Sequence, residues 1–166
     1  MKLSKKILLA FFLAVGSTVA AQQIPKWKLA DLRKAIEQSD RPTVVNFWAS
    51  FCKPCVAEIP GFQQELKKWD SAGIRLVLVS LDLPDDYAKL PAFAKRFKFD
   101  TGSIVFLDET NADLFCPVAD PKWSGAIPAT LFINNKTGYW HFVEDPLKKE
   151  DFAAEIRKLM TEKKAD

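Results

Sequence analysis

The sequence is sparing with cysteine and glycine, carries little excess charge and has no long apolar run, and each shortage excludes a class of protein. Three Cys among 166 residues are too few for a disulfide scaffold, so burial must hold the fold and any cysteine chemistry is local. Six Gly and ten Pro without a period exclude a collagen-like or low-complexity chain, and 48% hydrophobic content argues against disorder. The uncharged stretch over residues 7–21 is 15 residues long, short of the roughly 20 that a membrane span needs. The formal charge of +3 rests on Lys2, Lys5 and Lys6. Without them, 21 basic residues face 21 acidic ones, a balance that makes nucleic acid an unsuitable partner.

What is present begins with that N-terminus. A basic start, a short apolar run over residues 7–15 and the small residues of 16–21 resemble a secretory signal peptide. Cleavage is expected after Ala20, which leaves residues 21–166 as one domain. No Cys follows the apolar run to take a lipid. Export to the periplasm, or otherwise out of the cytoplasm, implies a compartment in which disulfides persist.

Past the signal, Leu29, Leu32 and Ile36 recur at helical spacing before Arg41 and Pro42. Residues 43–48 (TVVNFW) are β-branched and aromatic with almost no polar alternation, the pattern of a central strand covered on both faces. From Cys52 to Ser71, the set Ile59, Phe62, Leu66 and Trp69 defines one helical face, with Pro60 as the expected kink and Gly73 as the stop. Residues 74–81 form a second buried strand. A helix carrying Tyr87, Leu90, Phe93, Ala94 and Phe97 follows, divided by Pro91, and then a short strand at 104–107. Residues 108–126 are polar and Pro-containing and read as a long loop, a feature that points to function. Strands 129–133 and 139–143 form an antiparallel hairpin across a turn ending in Gly138. Asp145 and Pro146 are the expected start of a last helix with Phe152, Ile156 and Leu159 facing inward. The order implies an α/β fold: a mixed central sheet flanked by helices in three layers.

The chemistry concentrates in residues 48–55, WASFCKPC, where two thiols separated by two residues sit at a strand-to-helix junction. Unpaired N–H groups and the positive end of the helix dipole favour the thiolate of Cys52, and Lys53 adds a positive charge. The Cys52 pKa is expected below the free-thiol value of about 8.5. Cys55 lies one turn along the same face, able to attack a mixed disulfide on Cys52.

These residues resemble the thioredoxin superfamily and, within it, the exported TlpA/ResA-like thiol-disulfide oxidoreductases. The likeness rests on NFWASFCKPCVAEIP, residues 46–60, and on GAIPAT, residues 125–130; in element order it extends over most of residues 27–162. It implies a thioredoxin-like fold with no cofactor beyond a redox-active Cys52–Cys55 disulfide. It also implies that Pro128 is a cis-proline facing the Cys pair, with the backbone of Ile127 open to pair with an extended client strand. Phe51, Pro54, Ile127 and Pro128 are then the client-binding residues. Glu58 matches a Glu of these relatives, and spacing from Cys55 gives it the role of base toward that thiol. Asn46 stands where thioredoxin has a buried Asp and cannot take that proton. The chain departs from the family at Phe51, where a Trp is usual; the indole N–H is lost, and altered partner choice is expected.

Trp48 reads as core, Trp27, Trp69 and Trp140 as packing, and Trp123 as packing or one wall of a client groove. Cys116 reads as a small buried apolar side chain, with a regulatory thiol or an intermolecular bridge as the alternatives, and His141 as a strand residue facing solvent or a satisfied hydrogen bond. Other functions are open. Cys52, Cys55, Cys116 and His141 would supply a Cys3His zinc set. Copper delivery on this fold calls for three residues between the thiols, and a peroxidase for a Pro-x-x-x-Thr-x-x-Cys motif that the sequence lacks. Pro54 and Ile127 resemble reducing family members rather than oxidases. The implied partners are therefore exported proteins with disulfides, apocytochrome c among them, and a membrane electron donor. A monomer is expected.

Overall fold

The computed structural model describes residues 23–162; the expected signal segment, residues 1–20, lies outside them. Among the described residues, six strands form one mixed sheet in the order β1-β4-β3-β2-β5-β6. Strands β1 (Lys26–Trp27), β4 (Ser103–Leu107), β3 (Arg75–Ser80) and β2 (Thr43–Trp48) run parallel. Strands β5 (Ala129–Asn134) and β6 (Tyr139–Val143) run antiparallel to β2 and to each other. Strand β2 is interior, and all six of its residues are buried, as expected for a strand with a helical layer on either side.

Side-chain alternation along β2 divides the core in two. Val44 and Trp48 join Ile59 and Phe62 of α2 (Lys53–Leu66), Leu90 of α3 (Leu90–Arg96) and Phe152 and Ile156 of α5 (Lys149–Thr161) on one face. Val45 and Phe47 join Leu32 and Ile36 of α1 (Leu29–Glu37) and Phe115 of α4 (Ala112–Ala119) on the other. The three-layer thioredoxin-like arrangement is therefore present. Helices α2 and α5 are fastened by the stacked rings of Phe62 and Phe152, 4.0 Å between centroids.

Three local expectations need correction. Residues 108–126 are not a loop: α4 occupies their middle, started by the Asn111 side chain accepting from the Asp113 N–H at 3.0 Å. Pro117 within it and the polar flanks hide its period. The last helix begins at Lys149 rather than at Pro146, because the Leu147 N–H is turned onto Glu58 instead of entering a helical turn. Helix α2 runs through Pro60 to Leu66, and the backbone leaves helical geometry at Trp69, within a following 3-10 segment. Gly73, at φ 66°, ends that segment in a left-handed conformation suited to glycine. Strand β1, two residues long, is too short for any periodicity to mark it. The divided helix around Pro91 is seen as a 3-10 turn, Pro84–Lys89, leading into α3. Among the described residues no helix is long and apolar enough to cross a membrane.

Candidate active site

The end of β2 delivers the chain to the first turn of α2, and the cysteines sit on that turn. Cys52 is the N-cap residue, with extended backbone, and Pro54 lies in the first turn, where a missing N–H costs nothing. Cys52 and Cys55 are disulfide-bonded, their Cα atoms 5.3 Å apart. The Cys55 N–H donates to Cys52 Sγ at 3.3 Å. On reduction that donor, together with the helix dipole, meets the charge of a Cys52 thiolate. Cys52 retains 9% exposure and Cys55 none, so of the two residues Cys52 is the one nearer the surface.

Phe51, beside the pair, is 67% exposed. The loop that holds it is tied down by Asp82, a buried carboxylate just beyond β3. Asp82 accepts from the Ser50 N–H at 3.1 Å and from the Ser50 and Ser80 hydroxyls. Charge-assisted bonds of this kind are the strong ones, and nothing in the sequence marks Asp82, 32 residues from Ser50, as their acceptor. Opposite the pair, the Ile127–Pro128 peptide is cis, and the Ile127 carbonyl oxygen lies 3.8 Å from Cys52 Sγ. Phe51, Pro54, Ile127 and Pro128 thus flank the disulfide.

Glu58 is buried, one turn beyond Cys55 on the sheet-facing side of α2. One carboxylate oxygen accepts from the Asn46 amide at 2.9 Å and the other from the Leu147 N–H at 2.8 Å. The same Asn46 amide donates to the Thr130 hydroxyl at 3.0 Å, its neighbour across the β2–β5 ladder, and the Asn46 Oδ1 atom has no partner. Burial pushes the Glu58 carboxyl up to about 7, against the Leu147 and Asn46 donors, which lower it. A group poised there exchanges a proton readily near neutrality.

The other residues singled out in the sequence lie apart from this chemistry. Cys116 is buried as a free thiol on α4, and burial pushes it up to about 11. Trp48 is core. Trp123 packs among Phe47, Phe115 and Phe142, and its ring N–H donates to the Ala126 carbonyl at 2.8 Å. Trp140 is partly exposed. His141 is half-exposed on β6, 3.6 Å from Glu155. Among the described residues no three or more His, Cys, Asp or Glu side chains stand together as metal ligands, so the Cys3His set is not assembled.

The profile of the AhpC/TSA family matches residues 13–138. The chain belongs to this family. Among relatives, it is similar to the thiol-disulfide oxidoreductase ResA of Geobacillus thermodenitrificans, 23% identical over 150 residues that cover 88% of this chain and 78% of the relative. It is also similar to ResA of Oceanobacillus iheyensis, 32% identical over 66 residues, a match that spans only 34% of that protein and 35% of this chain. Among solved structures, StoA from Bacillus subtilis superposes with a TM-score of 0.52 at 26% identity, covering 72% of this chain and 82% of that one. This AhpC/TSA member is thus ResA-like within the thioredoxin superfamily, and it carries the Cys-X-X-Cys pair of a thiol-disulfide oxidoreductase.

The Glu58 environment has a thermodynamic consequence. Its carboxyl is raised from 4.5 to about 7 in the folded state, so the native state resists losing that proton while the unfolded chain gives it up. Stability from this group is complete below pH 4.5 and is lost as pH rises through about 7. Relative to Glu58→Gln, the wild-type unfolding free energy should fall by on the order of 3 kcal/mol between those limits, as read by urea denaturation of both proteins across that range.

Proposed function

We propose that the chain is an exported thiol-disulfide oxidoreductase that reduces disulfides in protein clients through a Cys52/Cys55 cycle. The observation that carries this reading is the sulfur of Cys52 at the first turn of α2, next to the Ile127 carbonyl, with a buried carboxylate one turn from Cys55. In the dithiol form the Cys52 thiolate bonds to one client sulfur, and the other client sulfur leaves as a thiolate and takes a proton from water. Glu58 accepts the Cys55 proton, the Cys55 sulfur bonds to Cys52, and the second client thiolate departs. Two electrons have then passed to the client, and the Cys52–Cys55 disulfide has formed. Phe51, Pro54, Ile127 and Pro128 form the client platform, with Ile127 pairing to an extended strand.

The reducing direction is supported by Pro54 and Ile127, as in the reducing members of the superfamily. A thiol reductant must restore the dithiol. Residues 1–20 act as a cleaved signal peptide in this reading, the donor is a membrane thiol reductase, and the clients are exported proteins such as apocytochrome c. The chain works as a monomer without metal or other cofactor.

Equilibration with glutathione buffers tests the direction. A reduction potential below about −200 mV is expected, whereas a value near the −120 mV or so of the strongest oxidases contradicts the reductase assignment. The base role has its own test. In Glu58→Gln the pH dependence of the resolving step should lose its component near pH 7, and an unchanged profile would refute proton transfer through Glu58.

A further inference from the structure

The segment that leads into the cis peptide is held by a side chain that no motif includes. Glu144, just after β6, turns its carboxylate onto residues 124–126. The Ser124 N–H donates to both of its oxygens at 3.2 Å, the Ser124 hydroxyl donates to Oε1, and the Ala126 N–H donates to Oε1 at 3.1 Å. The Trp123 ring N–H donates to the Ala126 carbonyl at 2.8 Å. Both polar groups of Ala126 are therefore engaged, and Ile127, the next residue, presents its carbonyl to Cys52 Sγ. Gly125, at φ 91°, makes the turn between the two donors in a conformation that other residues adopt only with strain. The carboxylate is kept ionised by the same contacts: the Ser124 hydroxyl above all, then the Ser124 and Ala126 N–H groups, hold it below the usual range.

Resting on the proposed exchange with protein clients, we propose that Glu144 is a positioning residue for client capture, pinning Ser124 and Ala126 so that the Ile127 backbone stands ready beside Cys52. A loop fixed in its bound form loses less conformational freedom when a strand pairs with it, so the carboxylate acts on affinity for extended substrates without touching the reacting sulfurs. Small disulfides, which have no strand to pair, should be indifferent to it.

The reduced protein can be tested with two disulfides that share a leaving group: Ellman's reagent, and a short extended peptide whose single Cys carries the same nitrothiobenzoate. In each case the Cys52 sulfur forms the new disulfide and the coloured thiolate leaves. For Glu144→Ala, the peptide concentration at half-maximal rate should rise roughly five- to tenfold, while the maximal rate and the rate with Ellman's reagent stay within about twofold of wild type. Glu144→Gln, which keeps an acceptor oxygen, should recover most of the loss. An unchanged half-saturation in Glu144→Ala, or an equal loss with both reagents, overturns the positioning role. If the wild type itself gains no saturable rate with the peptide, the proposed client exchange fails, and that result is distinct from any difference between variants.

Discussion

One sulfur at the opening of one helix governs the layout of this molecule. Cys52 caps α2, and its Sγ takes the Cys55 N–H. A helix start leaves its first N–H groups unpaired, and a thiolate there is met by donors and by a dipole of the right sign. That arrangement requires the strand feeding the helix to end at a fixed place. Interior β2, buried on both faces and paired along its length with β3 and β5, supplies this. The sheet is in this sense a mount for a turn of backbone.

The surroundings of the disulfide divide by polarity. Two loops converge on it, and each is tied by a carboxylate: Asp82 holds Ser50 ahead of Cys52, and Glu144 holds Ser124 and Ala126 ahead of Pro128. Both anions are satisfied by N–H and O–H donors, which fix backbone direction more tightly than apolar contact does. Glu58 differs: burial pushes its carboxyl up to about 7 although Asn46 and Leu147 donate to it, so its proton is hard to remove. Well-paired carboxylates here brace the loops, and the poorly solvated one is suited to proton traffic.

The sequence disclosed the parts whose signals are local. Residues 43–48 read as a covered strand because they are β-branched and aromatic with almost no polar alternation, and Cys52 and Cys55 read as a helix-start pair because a strand ends just before them and the helical face of Ile59, Phe62 and Leu66 begins just after. The place of Glu58 on α2 followed from helical spacing, but its environment did not, since Asn46 and Leu147 reach it from 12 and 89 residues away. Helix α4 was hidden by Pro117, and α5 starts late because the Leu147 N–H serves Glu58. Asp82 and Glu144 left no trace in the sequence: an acidic residue beside a strand end looks like ordinary solvated surface until the fold brings its serine to it.

The most direct test of the central claim is the pH dependence of Cys52 alkylation by iodoacetamide in the reduced protein, with Cys116 replaced by Ser so that only the paired thiols respond. Stabilisation by the helix start predicts a midpoint clearly below the free-thiol value of about 8.5. A midpoint at or above that value would contradict the account.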